Sequence, residues 1–126
     1  MQHLFFFDGN DKRISWEIRS DNSKIQQVRE HVNLYLNKVT KEQSKIIAFH
    51  VGLFWGIGRF IIKNKDEVKV MVDNKIMFQV LTKNETITDR FIQTRIHFIN
   101  QLIKQRELNI DYKLIESKEN HLSKLI

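Results

Sequence analysis

Leu4-Phe5-Phe6-Phe7-Asp8-Gly9-Asn10 sets an unbroken apolar run against an aspartate and a turn. Residues 3–8 predict a strand apolar on both faces, and such strands sit in the middle of a sheet. Val68-Lys69-Val70-Met71-Val72-Asp73-Asn74 closes the same way, and Glu67 to Asp73 predicts a second buried strand. An aspartate at the mouth of a buried strand is poorly placed for stability and well placed for chemistry. On neighbouring strands, Asp8 and Asp73 can share a divalent metal ion, whose hard character asks for oxygen ligands. Each also has a plainer role: Asp8 can shape an Asp-Gly-Asn turn, and Asp73 can cap the helix that follows.

Working outward, Ile14-Ser15-Trp16-Glu17-Ile18-Arg19 alternates with period two, as a half-buried strand does. Residues 25–39 fit two patterns: Val32, Leu34 and Leu36 alternate like a strand, whereas Ile25, Val28 and Val32 make a helical stripe. The strand reading, over 30–38, is taken here. Thr40-Lys41-Glu42-Gln43 has the form of a capping box, predicting a helix from there to about Lys63. That helix is apolar nearly all round and should be buried, with Gly52 and Gly56 letting it approach the sheet closely. A phosphate loop is a poor reading of these glycines, because no strand precedes them and no Lys-Ser/Thr follows. Lys75 to Leu81 predicts a short helix, 82–88 a polar connection, and Asp89 to Leu108 a long amphipathic helix. Ile110 to Ile115 predicts a last strand, and His121 to Ile126 a short helical tail.

The chain has 126 residues, which suits one domain spanning 1–126 and a core needing no staples. It has no cysteine, which excludes disulfides and thiolate metal sites. With no leader-like start and no apolar stretch of about 20 residues, a cytoplasmic protein without a membrane span is expected. The net charge of +6 makes polyanions candidate partners, although no run of five like charges forms a basic tail. The five histidines lack metal-ligand spacing. His50 reads as a packed or hydrogen-bonded residue of the buried helix. No Ser/His/Asp set can be argued from the sequence. Trp16, Trp55, Tyr35 and Tyr112 can stack bases where exposed, though Trp55 reads as core.

The element order β-β-β-α-β-α-α-β-α, with aspartates closing the first and fourth strands, resembles the ribonuclease H-like superfamily, ribonuclease HI in style. Four places carry the resemblance. Phe6-Phe7-Asp8-Gly9 looks like the strand-one F-D-G motif. Thr40 to Leu53 is similar to the helix-one pattern T-N-N-x-A-E-Y-x-A-L-x-x-G-L. Val70-Met71-Val72-Asp73-Asn74-Lys75 looks like V-x-x-D-S-x, and Glu119 to Leu125 is similar to E-N-x-x-A-D-x-L. No one motif is specific; their order and spacing are what count.

The resemblance implies an α/β fold, a mixed five-stranded sheet with helices on both faces, and an RNA–DNA hybrid or other structured nucleic acid as partner. In the family, four carboxylates hold two Mg²⁺ ions about 4 Å apart. Carried over, Asp8 and Asp73 are the first and third of these, and hence the catalytic and metal-binding candidates. Lys45 stands at the second position and Lys124 at the fourth. A protonated lysine has no lone pair to give a metal, and it can neutralise an aspartate in the metal's place. The resemblance therefore implies a nucleic-acid-binding domain with a degenerate metal site. Two alternatives stand beside it. An active ribonuclease H, with Mg²⁺ or Mn²⁺, would recruit Glu42, one helical turn from Lys45, with Glu116 or Glu119 as fourth ligand. A structural or protein-interaction domain would use the ion pairs alone. Lys41, Lys45, Lys75 and Asn74 fall by analogy where the family lines its hybrid groove. Arg59, Arg95 and Lys104 are further candidates for phosphate contacts.

Overall fold

The structure is a computed structural model that describes residues 1–83 and 85–126; Asn84, in the polar connection expected at 82–88, lies outside the described residues. Strands β1 (Gln2–Gly9), β2 (Arg13–Ser20) and β3 (Ser23–Glu30) precede helix α1 (Lys41–Gly58). Strand β4 (Glu67–Val72), helices α2 (Lys75–Leu81) and α3 (Arg90–Gln105) and strand β5 (Asn109–Leu114) follow. Two 3₁₀ turns, Ser117–Glu119 and His121–Lys124, close the chain, so the expected tail helix is a single tighter turn. The sheet runs β3-β2-β1-β4-β5. The β1–β2 and β2–β3 pairs are antiparallel, and the β1–β4 and β4–β5 pairs are parallel. As the unbroken apolar run predicts, β1 is the central strand.

The third strand lies earlier than the alternation at 30–38 suggests. Asp21 and Asn22 form a two-residue hairpin turn, with Asp21 at φ 44°. β3 therefore begins at once and pairs with β2 from Ser20↔Ser23 to Arg13↔Glu30. A short turn fixes register, and here it uses the pairing length before residue 31. Val32 and Leu34 are left exposed, in a turn segment where Tyr35 N donates to Val32 O.

One face of the sheet packs on the helices. Phe5, Phe7, Trp16, Ile18, Val70 and Val72 meet Ile46, Phe49 and Leu53 of α1, with Met77 of α2 and Ile99 of α3 in the same core. Phe7 stacks on Phe49 at 5.1 Å between ring centres. Fully burying one such side chain is worth about 1.5–3 kcal/mol. Gly52 and Gly56 serve the close approach that the sequence suggests. A Cβ at Gly52 would lie 2.7 Å from the Trp16 ring, and one at Gly56 would lie 2.7 Å from Ile18. On the opposite face a smaller cluster of Phe6, Met71, Ile115 and Leu122 sits under the last 3₁₀ turn.

The capping box at α1 is formed: Gln43 N donates to Thr40 Oγ1, and Thr40 N donates to the Gln43 side chain. The helix stops at Gly58, short of Lys63. Phe60 N donates to Ile57 O and Ile61 N to Gly56 O, the paired bonds of a Schellman motif. The chain turns back there, so that Ile62 is buried against Gly56. The left-handed position of the motif, φ 61°, is occupied by Phe60 rather than glycine, at a cost of about 1–2 kcal/mol.

Candidate functional site

Parallel pairing sets the two aspartates level. Phe6 pairs with Met71, and Asp8 and Asp73 each follow two residues later, at the same end of β1 and β4. α1 approaches this end very closely. A Cβ at Gly9 would lie 2.8 Å from the Ser44 backbone, so β1 must be bare where the helix begins. His31 Nε2 bridges the Asn10 carbonyl and Ser44 Oγ, at 2.9 and 2.8 Å, and ties the turn after β1 to the same helical turn.

This approach brings Lys45 between the aspartates. Its Nζ donates to Asp8 Oδ1 at 2.7 Å and to Asp73 Oδ1 at 2.8 Å. The three side chains are 5%, 3% and 3% exposed. Burial by itself pulls the lysine pKa down, but the hydrogen bonds and charges of Asp73 and Asp8 outweigh it and leave the pKa raised. The ammonium is therefore charged throughout the neutral range. Gly9 N also donates to Asp8 Oδ1, the local turn role open to that residue. Asp73 does not cap α2; Asn74 does, accepting from Met77 N at 2.9 Å.

The fourth member is Asn120, which the sequence reading does not single out. It is 1% exposed and donates through Nδ2 to Asp73 Oδ2 at 3.0 Å and to Phe7 O at 2.9 Å. Its Oδ1 caps the final 3₁₀ turn at Leu122 N. Lys124, expected here by alignment, is exposed and makes no ion pair among the described residues. The tail forms a 3₁₀ turn rather than an α-helix, and the buried side chain comes from its cap. The one signal in the sequence is the asparagine beside a predicted helical start.

The remaining candidates stay outside. Glu42 is exposed in the first turn of α1 and is not bonded to this centre. Glu119 accepts from Glu116 N, and Glu116 pairs with Lys118 at 3.3 Å, both on the surface. Among the described residues no group of three or more His, Asp or Glu is placed to hold a metal ion. Lys41 and Lys75 are exposed, flanking the centre at the starts of α1 and α2. Lys45, committed to both aspartates, is not a free cation for a phosphate. Arg95 is likewise occupied, donating to His50 Nδ1 and Tyr35 Oη at 3.0 and 3.1 Å. His50, burial lowering its pKa and Arg95 adding to that, stacks on Phe98.

A Ser/His/Asp chain does exist, at the other end of β1. His3 Nε2 meets Asp66 Oδ2 at 2.8 Å, and His3 Nδ1 is hydrogen-bonded to Ser20 Oγ. The His3 side chain is fully buried and Asp66 also accepts from Lys63 N, so the chain ties the α1–β4 loop and the β2–β3 hairpin to β1. A further buried carboxylate, Glu17, lies on the opposite sheet face. It is held by Arg19 (2.6 Å), Gln26 (2.6 Å) and His121 (2.9 Å), which anchors the tail beside Asn120.

The sequence matches no protein-family model and no curated protein. Solved structures do match. Ribonuclease H1 from the halophilic archaeon Halobacterium salinarum NRC-1 superposes with a TM-score of 0.72 at 13% identity, over 95% of this chain and 89% of that one. LC11-RNase H1 in complex with an RNA/DNA hybrid gives 0.72 at 12% identity, over 94% and 88%. The foamy viral protease-reverse transcriptase in complex with an RNA/DNA hybrid gives 0.54 at 12% identity, over 88% of this chain and 15% of that much longer one. With a five-stranded mixed sheet in this order and three helices among the described residues, and aspartates closing adjacent parallel strands, the chain has a ribonuclease H-like fold.

Proposed function

We propose that this domain binds nucleic acid, an RNA–DNA hybrid or a structured duplex, and that its carboxylate centre is a degenerate metal site. The observation that carries the reading is the Lys45 ammonium, hydrogen-bonded at once to Asp8 and Asp73. A divalent ion such as Mg²⁺ asks for six oxygen ligands in near-octahedral geometry. Here the inner oxygens of both aspartates already accept from a cation, and Asn120 holds the outer oxygen of Asp73. The donor set does not fit Mg²⁺ or Mn²⁺.

Hybrid-bound neighbours of the same fold support the choice of partner, as does the net charge of +6. Lys41 and Lys75 are exposed cations at the rim with no ion pair among the described residues, and Asn74 caps α2 through Oδ1, leaving its Nδ2 to donate to a backbone oxygen. Such contacts read backbone shape rather than sequence and weaken steeply with salt.

The test is a titration with a labelled RNA–DNA hybrid at several salt concentrations, alongside a cleavage assay with Mg²⁺ or Mn²⁺. Salt-dependent binding without cleavage is expected, and Lys41→Ala and Lys75→Ala should each reduce the salt slope by about one. Cleavage that Asp73→Asn abolishes would establish the active ribonuclease H reading instead. No binding to hybrid or duplex even at low salt would leave the structural or protein-interaction reading.

A further inference from the structure

The far end of α1 carries a surface that the fold does not need. Phe54 is 64% exposed and Phe60 79% exposed, although both are large and apolar. Phe60 occupies the left-handed position of the helix-terminating motif, where glycine is favoured and a bulky residue is strained. Conformation and solvation thus both disfavour a phenylalanine there, and neither the core nor the cap requires its ring. Lys83 and Glu107 hold the same left-handed position after α2 and α3, so what sets this end apart is the large exposed ring placed there.

Its surroundings indicate what the ring meets. Residues 54–65, Phe-Trp-Gly-Ile-Gly-Arg-Phe-Ile-Ile-Lys-Asn-Lys, contain no carboxylate. Arg59, Lys63 and Lys65 are all exposed, and none forms an ion pair among the described residues. Arg59 lies over the half-buried Trp55 ring at 5.4 Å. Lys65 N donates to Arg106 O, which brings the basic end of α3 alongside; the acidic neighbours are Glu107 in that turn, the exposed Glu67, and Asp66, whose buried carboxylate is held by His3 and Lys63 N. Exposed rings interleaved with unpaired cations suit a flexible polyanion whose subunits carry flat faces. Phosphates meet the cations, and unpaired bases stack on the rings.

We propose that Phe54 and Phe60, with Arg59, Lys63 and Lys65, form a binding surface for single-stranded nucleic acid. It is separate from the Asp8–Lys45–Asp73 centre, since α1 rises about 20 Å between Lys45 and Gly58. It does not depend on the duplex reading of that centre. A lipid surface is a weaker match: nine of the 18 residues of α1 are buried, and Phe54 with Phe60 just past the helix makes two rings rather than the continuous apolar face of an interfacial helix.

The experiment compares the parent chain with Phe60→Gly and Phe54→Ser, titrating a labelled oligothymidylate, an RNA–DNA hybrid, and anionic phosphatidylserine vesicles. Phe60→Gly relieves the strained position and should fold with an unchanged or raised Tm. Each variant should weaken oligothymidylate binding by at least about fivefold, the low end for one stacked base, with hybrid binding unchanged. Unaltered single-strand binding in folded variants would overturn the proposal. So would ring-dependent vesicle binding with no single-strand binding, which would assign the surface to a membrane. Lys41→Ala and Lys75→Ala should leave single-strand binding intact, and its loss in them would overturn the separateness of the two sites.

Discussion

Both ends of β1 terminate in buried polar networks, and they solve different problems. At its carboxyl end β1 places Asp8 beside Asp73, two like charges that repel unless a cation stands between them; Lys45 supplies it. At its amino end β1 places His3 between one carboxylate and one hydroxyl, Asp66 and Ser20, in a chain of hydrogen bonds, with the half-exposed N-terminal ammonium 3.3 Å from Asp66. Removing a partner from the first leaves a buried charge uncompensated; removing one from the second orphans a donor or acceptor. The same strand therefore carries a buried lysine shared by two carboxylates at one end and, at the other, a hydrogen-bonded chain with a partly exposed ion pair to the N-terminus.

Lys45→Met should show the difference most strongly. Breaking a buried ion pair costs about 3–5 kcal/mol, to be read as a loss of unfolding free energy in urea at neutral pH. His3→Leu should cost about 1–3 kcal/mol, the penalty for stranding buried polar groups. If the two variants lose the same stability, the contrast between the networks is wrong. Gly9→Ala probes the carboxyl end by sterics alone. Its Cβ would lie 2.8 Å from the Ser44 backbone, and such overpacking costs about 1–3 kcal/mol without touching a charge.

Opposite pH limbs sharpen the comparison. The raised Lys45 pKa means that its contribution is full below the ordinary value of 10.5 and is lost as pH rises through the higher folded value. For Asp66, burial favours the neutral form, but the hydrogen bonds from His3 and Lys63 N prevail and hold its pKa below the ordinary 3.8. Its contribution is present above that value and is lost as pH falls through the lower folded one. Lys45→Met should flatten the alkaline limb of a stability–pH profile, and Asp66→Asn the acid limb. Exchange of those two outcomes would refute the assignment. The smallest effect expected is Ser20→Ala, about 1 kcal/mol in the same urea experiment.

The carboxyl end was the more legible in sequence. An apolar run followed by Asp-Gly announces a central strand, and Thr40 with Gln43 announces the helix that brings Lys45. Gly52 signals how closely that helix can lie. Local patterns reach this far because each is a property of consecutive residues. The amino end was not legible. His3, Ser20 and Asp66 lie on separate elements, and their meeting depends on the β2–β3 hairpin and on where α1 stops. Asn120 was missed for a related reason. The motif match puts Lys124 at the fourth position, whereas the tail forms a 3₁₀ turn and presents its cap residue to Asp73. Apolar alternation at Val32, Leu34 and Leu36 misplaced β3, because hairpin geometry rather than periodicity decided where pairing began.

The cation between Asp8 and Asp73 is a side chain, so it is tethered. Its local concentration is fixed by the docking of α1 on β1, not by what the surrounding solution supplies. Dilution, chelation and ion exchange leave that balance untouched. Because β1, β4 and α1 each bring one member, bridging the two aspartates and seating the central helix are coupled in folding.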